Sequence, residues 1–349
     1  KKVVLSRYLI WTTSLTSTVN RKVITVKTKE LYALNSIKGI GPKAIMAIVD
    51  YLNSNALNTI KDISLDNLLR DKNLSRYKKV LQLNIPWNIF EVYIEKAKNE
   101  IEDIENKDVH IVSIFDEYYP PLLKMTQDAP IFLYCKGNLS LLKNMNNIAV
   151  VGTRQNTEHG KLITTKSVQF MCEHGYTIVS GLALGIDSIA HQAALDSNGK
   201  TIAVLVDVDN VQPSSNRKLA DNILANNGLL IAEMPPDINI IPSMFAKRDR
   251  IQSGLSLAVF PMETNIDGGT MHAVNAAFKE NRLIYVPDIN LSGYSDTDIP
   301  QLGGIKYLIE ENKAIPYTKA TYKDVLNSLV LKNEELLNPK VEPKQGSLL

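Results

Sequence analysis

Cysteine is nearly missing from the chain: Cys135 and Cys172 are the two in 349 residues. That excludes a disulfide scaffold and any cysteine-rich zinc module, and it makes a reducing cytoplasm the expected compartment. No apolar run reaches the roughly 18 residues of a membrane span, so no membrane role is expected. A secretory leader is not expected either. The start, KKVVLSRYLI, is basic and briefly apolar, but Ser6 and Arg7 break the patch and no small-residue cleavage site follows. Excess charge is missing as well: 39 Lys and Arg face 37 Asp and Glu. Residues 1–30 hold seven of those cations against Glu30 alone, so the remainder is slightly acidic. A broad basic footprint for nucleic acid is thus absent from the bulk of the chain, and any such site must be local.

What is present is enough apolar residue, 44%, to fill real cores over two or three domains. Residues 1–30 are a basic segment of no assignable type, in which NRKVITVKT at 20–28 alternates enough for a strand. From 31 to 106 apolar residues recur at spacings of three and four, in LYALNSI, PKAIMAIVDYL, SLDNLLRD, YKKVLQL and NIFEVYIEKAKNEIEDI, which predicts a small helical domain. From 107 to 318 the rhythm becomes strand, glycine loop, helix. The runs NIAVVG, YTIVSG, KTIAVLVD, LLIAEM, LAVFPM and RLIYVPD alternate with helical patterns. This predicts an α/β unit with a mostly parallel sheet covered on both faces. Residues 319–349 read as a helix and a mobile polar tail.

In such a sheet, ligands sit beyond the carboxyl ends of the strands. Three glycine loops occupy that edge: Gly152, Thr153 and Arg154; Ser180, Gly181 and, further on, Gly185; and Gly268, Gly269 and Thr270. Glycine admits close backbone approach, a helix start offers free N–H groups, and Arg154 adds a bidentate phosphate donor. One such loop alone is more simply a tight turn; three on one edge favour a phosphate or nucleotide-backbone site. No GxGxxG or GxxxxGK[ST] occurs, so dinucleotide binding and P-loop ATP hydrolysis lack support, and no cofactor is expected.

Phe245, Lys247, Arg248 and Arg250 cluster near an expected helix start. Cations beside an aromatic ring suit a single strand, with phosphates on the cations and a base on the ring. Taken alone, a solvated turn with a core phenylalanine is the plainer reading. Lys38, Gly39, Gly41 and Lys43 lie in a two-glycine turn that resembles a helix-hairpin-helix element, a device for pointing backbone N–H groups at a DNA phosphate. A simple packing turn accounts for it equally well. His191 follows Asp187 by one helical turn, which suits either an oriented base or, more simply, a packing pair. No cysteine or histidine cluster has metal spacing.

The order and spacing of YYPPLLKMTQDAPIFLYCKGN, AVVGTRQNTEHG, VSGLALGIDSIAHQAAL, LIAEMPP, FAKRDRIQSGLSLAVFPMET, GGTMHAVNAA and GGIKYLIEEN resemble the DNA-processing protein A family, also called DprA or Smf. The resemblance covers about 110–313, and most of the chain once the glycine hairpin is added. It implies a helical domain joined to an extended Rossmann-like domain, and a homodimer formed through the latter. It also implies binding of single-stranded DNA, protection of incoming DNA in natural transformation, and delivery of the strand to the recombinase RecA. The implied contacts are Gly152, Thr153, Arg154, Ser180, Gly181, Gly185 and Phe245 through Arg250.

The chain departs from that pattern in places. The family's arginine-asparagine-arginine is Arg248-Asp249-Arg250 here, and a glycine loop ending in Tyr-Pro is VDVDNVQPSSN. The segment after 318 is too short for the winged helix that many members carry, so a divergent member without it is expected. Two rival functions remain: a nucleotide sensor or DNA-binding part of a phage-defence system, and an enzyme like the phosphoribohydrolases of the LOG type. The latter place a glutamate three residues after the loop threonine; here Ala273 stands three after Thr270, and Glu233 or Glu263 would have to substitute.

Overall fold

Short apolar runs bounded by glycine or asparagine become strands, and the amphipathic stretches between them become helices. In the computed structural model the described residues are 28–55, 57, 60, 70, 74, 90–294 and 296–338. The basic segment to residue 27, the strand expected over 20–28 (apart from Thr28), most of the helical patterns at 64–71 and 77–83, and the tail after 338 lie outside them.

Contacts divide the chain into two units, one of residues 1–119 and 130–134, the other of 120–129 and 135–349. The first holds α1 (Thr28–Ser36), α2 (Pro42–Ser54), α3 (Phe90–Glu105) and β1 (His110–Ser113). Leu31, Leu34, Ile45, Ile48, Leu52, Phe90 and Ile94 are buried in it, as the three-and-four spacing requires. Between α1 and α2, Gly39 takes φ +91°, and Pro42 occupies the first turn of α2, where its missing N–H costs nothing.

The second unit carries the sheet. Its elements are the single turn α4 (Pro121–Lys124), the end of β2 (Phe132–Gly137), β3 (Asn147–Val151), α5 (Glu158–Glu173), β4 (Thr177–Ser180), α6 (Ile186–Asp196), β5 (Thr201–Leu205), α7 (Arg217–Ala225) and β6 (Leu229–Ala232). There follow α8 (Pro242–Gly254), β7 (Ala258–Pro261), α9 (Thr270–Lys279), β8 (Leu283–Pro287), α10 (Pro300–Glu310), β9 (Ile315–Tyr317) and α11 (Tyr322–Leu337). The strand order is β6-β5-β4-β3-β7-β8-β9, and every one of these pairings is parallel. Every residue of β3 to β7 is buried, which is why these strands read as unbroken apolar runs rather than alternating ones.

The order reverses beside β3: β4, β5 and β6 build outward on one side, β7, β8 and β9 on the other. The crevice between the carboxyl ends of β3 and β7 is therefore the topological switch point. β9 was not legible as a strand. It has three residues, includes Pro316, and pairs only at the sheet edge, where proline is tolerated. No helix among the described residues is long and apolar enough to cross a membrane.

Candidate functional site

The loops after β3, β4 and β7 meet at the switch point. Thr153 N donates to Glu263 O at 2.7 Å, and Ile186 N donates to Thr153 O at 3.2 Å. The glycines here answer to packing within the protein. A methyl group on Gly152 would fall 2.5 Å from the Ile186 side chain, and one on Gly185, at φ +77°, would fall 2.3 Å from Thr153 O. Ser180 is buried and its hydroxyl donates to Val150 O at 2.6 Å. Gly268 is packed on Thr264, whereas Gly269 is exposed with open space above it and Thr270 opens α9.

The N-terminus of α5 is where this fold usually receives an anion. Here a protein carboxylate sits there. Glu263, 0% exposed just past β7, accepts from Thr157 N at 2.8 Å through Oε2 and from the Thr157 hydroxyl at 2.6 Å through Oε1. Tyr294 adds a hydroxyl at 3.2 Å, and Thr157 in turn caps Gly160 N at 2.9 Å. A methyl on Gly160 would come within 2.2 Å of the Glu263 carboxyl, so the helix start and the acid are fitted to each other.

The cation cluster on α8 separates into three environments. Arg248 is 7% exposed and turned inward: its Nη1 lies where a Gly181 methyl would be, 1.5 Å away, and its Nε is 3.5 Å from Asp249 Oδ1. Nε and Nη1 have no hydrogen-bond partner. Asp187, buried in the first turn of α6, accepts from Gly181 N at 3.1 Å. Burial raises the Asp187 carboxyl above the usual range, with the Arg248 charge and backbone N–H groups opposing. Burial also pushes Asp249 up to about 6, again against the pull of Arg248 and with Asp187 adding to the rise. Arg250 is half-buried; its Nη2 donates to Glu233 Oε1 at 2.6 Å and its Nη1 to Lys247 O at 3.0 Å. Lys247 and, after β3, Arg154 are exposed, and Phe245 is half-buried on the first turn of α8.

His191 is settled by its neighbours. Thr201 spends its hydroxyl proton on Ile178 O at 2.9 Å, so it accepts from His191 Nδ1 at 2.7 Å. The ring is fully buried, and burial lowers it to about 3, so it is a neutral core group, not a base oriented by Asp187. Lys38, Gly39, Gly41 and Lys43 are exposed and belong to the first unit.

Sequence reasoning placed the three loops on one edge and the cations of α8 in one cluster, but missed which groups face inward. Glu263 was noticed only as a spare acid. Its capping role could have been found from an acid directly after a strand, opposite the Thr157-Glu158 start of a helix at the switch point.

Comparison with known proteins gives a consistent result. The family profile for DNA recombination-mediator protein A matches residues 110–329. The DNA processing protein DprA of Bacillus subtilis is 30% identical over 254 residues, 72% of this chain and 82% of that protein. The X-ray structure of DprA from Streptococcus pneumoniae superposes with a TM-score of 0.68 at 28% identity, covering 87% of this chain and 98% of that one. DprA from Helicobacter pylori, whose structure is described for its single-stranded DNA binding mode, gives a TM-score of 0.54 at 27% identity, over 64% of this chain and 96% of that one.

Proposed function

This chain belongs to the DNA recombination-mediator protein A family, and from that premise we propose that it binds single-stranded DNA along the carboxyl edge of its sheet. On this reading it protects incoming DNA and delivers it to a RecA-type recombinase as a cytoplasmic homodimer, in natural transformation. The observation that carries the reading is the sorting of the edge into buried and exposed groups. Glu263 accepts the Thr157 N–H at the start of α5, while Arg154 after β3 and Lys247 on α8 are exposed and Phe245, two residues before Lys247, is half-exposed. Exposed cations with an aromatic ring match a strand laid over the surface, with phosphates outside and a base against the ring. In this arrangement Arg248 holds the Gly181 loop from within, and Arg250, tied to Glu233, contributes less than a free cation. The exposed Lys38–Lys43 turn is a secondary contact.

A binding role is favoured over phosphoribohydrolase chemistry. Ala273 is buried where that chemistry needs a carboxylate, Glu263 is held by Thr157 and Tyr294, and Glu233 is paired with Arg250. The test is a parallel titration with single-stranded DNA, duplex DNA and free nucleotides. The reading expects single strands to bind most tightly. Tight binding of a free nucleotide with no response to DNA would replace it with the sensor role.

A further inference from the structure

Asn216, 9% exposed at the start of α7, turns its side chain into the loop that follows β4. Its Nδ2 donates to Leu182 O at 2.8 Å and to Ala183 O at 3.2 Å. Both partners are acceptors, so the amide nitrogen and not its oxygen faces the loop. We propose that Asn216 is a positioning residue for DNA binding: it holds the Gly181–Gly185 loop in the form that presents Arg154 to the phosphates of a single strand. This role rests on the single-strand reading above and adds to it a buried, uncharged residue from a different loop that acts through Arg154.

The loop needs to be held. Leu182 sits at φ +56° with no exposed surface. A residue with a Cβ keeps that left-handed conformation only where its surroundings over-determine it. From α6, the helix that follows, Asp187 accepts from Gly181 N at 3.1 Å and the Ser188 hydroxyl donates to Ala183 O at 2.6 Å. Asn216 fastens the same two-residue stretch from a separate element. The loop in turn carries Arg154. A methyl on Gly185 would fall 2.8 Å from both the Cα and the carbonyl carbon of Arg154, so the two backbones rest directly on each other. A small shift of the loop therefore moves the Arg154 backbone, and the guanidinium at the end of its long side chain moves further. A paired guanidinium–phosphate contact tolerates little such displacement. Asn216 is itself anchored. Its backbone N–H donates to Pro213 O at 3.0 Å. Earlier in the same loop Asp207, 1% exposed, accepts from Asp209 N at 2.9 Å and Asn210 N at 3.2 Å through one oxygen, and from Asp237 N at 2.9 Å through the other. Lys136 holds Asp209 at 2.9 Å from the flank. A strut fixed before the ligand arrives spares the binding loop an ordering cost.

The experiment uses the full chain and a fluorescent dT 20-mer titrated over a range of salt. Asn216→Ala changes no charge, so a role confined to stability leaves the salt slope of the folded protein where it was. The positioning role expects Asn216→Ala to flatten the slope by at least about half of the 0.7 that Arg154→Ala removes. It also expects binding about three- to ten-fold weaker at one salt concentration. The double variant should bind within about two-fold of Arg154→Ala alone, because a misplaced arginine and a missing one forfeit the same contact. Ser188→Ala, which takes one donor from Ala183 O and leaves Leu182 O held, should shift affinity and slope in the same direction by less. It decides the matter if Asn216→Ala does not fold. The parent's slope and affinity in folded Asn216→Ala, or in Ser188→Ala where only that variant folds, overturns the positioning role. So does a further loss in the double variant as large as that of Asn216→Ala alone. If instead Arg154→Ala binds with the parent's affinity and slope, or the parent binds no single strand, the functional reading itself fails.

Discussion

The Glu263 carboxylate and Thr157 are locked together at the switch point: Oε2 accepts from the backbone N–H at 2.8 Å and Oε1 from the hydroxyl at 2.6 Å. The acid supplies at the start of α5 the negative charge that a bound phosphate supplies in nucleotide-binding relatives of this fold. The sheet therefore keeps the Rossmann-like topology while the helix end is satisfied from within the chain.

Removing that charge should expose the seat. Glu263→Ala leaves the α5 start without its acceptor and opens a polar cavity, with an expected loss of about 2–4 kcal/mol. Acetate or inorganic phosphate at millimolar concentration should then raise the melting temperature of the variant and not that of the parent. A variant as stable as the parent, or one indifferent to both anions, would show that the carboxylate does not hold the helix end.

The second prediction concerns salt. Each phosphate neutralised on a single strand adds about 0.7 to the slope of log K against log salt. If Arg154 and Lys247 are the contacts, the slope is about −1.4; engagement of Arg248 and Arg250 as well would bring it to about −2.8. Arg154→Ala and Lys247→Ala should each flatten the slope by about 0.7 and weaken binding evenly across sequences. A slope near −2.8 that Arg250→Ala flattens would return the paired arginine to the binding surface.

Much of this was legible in the sequence because it depends on local pattern. The strands β3 to β7 are buried on both faces, so their apolar runs stand out, and glycine at 152, 181 and 185 marks strand-to-helix turns. What was not legible depends on contacts across long separations. Arg248 reads like Lys247 and Arg250 on the page, and only the position of Gly181, 67 residues earlier in the numbering, turns it inward. Asp207 and Asp209 read only as a departure from the family's glycine loop, yet one braces two loops and the other is paired with Lys136. β9 was invisible for the opposite reason, since an edge strand of three residues with a proline has almost no local signal.

The inward turn of Arg248 carries a third prediction. Arg248→Met keeps an unbranched apolar stem but leaves Asp187 and Asp249 buried without their cation. Breaking a buried pair from one side costs about 3–5 kcal/mol. Adding Asp249→Asn should recover a substantial part, because one of the two stranded acids is gone. The folded double variant should retain the parent's salt slope on single-stranded DNA. A slope reduced by about 0.7 would make Arg248 a phosphate contact after all.

The last prediction follows from the sign of the Asp249 shift. Burial raises this carboxyl to about 6, so the folded chain holds a proton there that the unfolded chain has already released. Between the ordinary carboxylate range and pH 6 the native state binds more protons, and stability falls as pH rises through that window. Below the unfolded value both states are protonated and the contribution is fully present; above about 6 it is lost. A shift of roughly two units corresponds to about 2–3 kcal/mol, less what the remaining exposure screens. Asp249→Asn places a neutral amide of the same shape in that position, with Gln252, which now donates to Asp249 Oδ1 at 2.9 Å, still able to pair with it. The variant should therefore be more stable than the parent above pH 7, by about 1–2 kcal/mol, and equal to it near pH 4. It should lose part of the decline in between; the raised Asp187 keeps the rest. Single-strand affinity should also rise at neutral pH, because one negative charge leaves the neighbourhood of Lys247 and Phe245. Denaturant titrations of the two proteins from pH 4 to 8 decide it. If the variant is less stable at pH 7.5, the attraction between Arg248 and Asp249 outweighs the cost of burying the acid, and the pair is a net stabilising bridge.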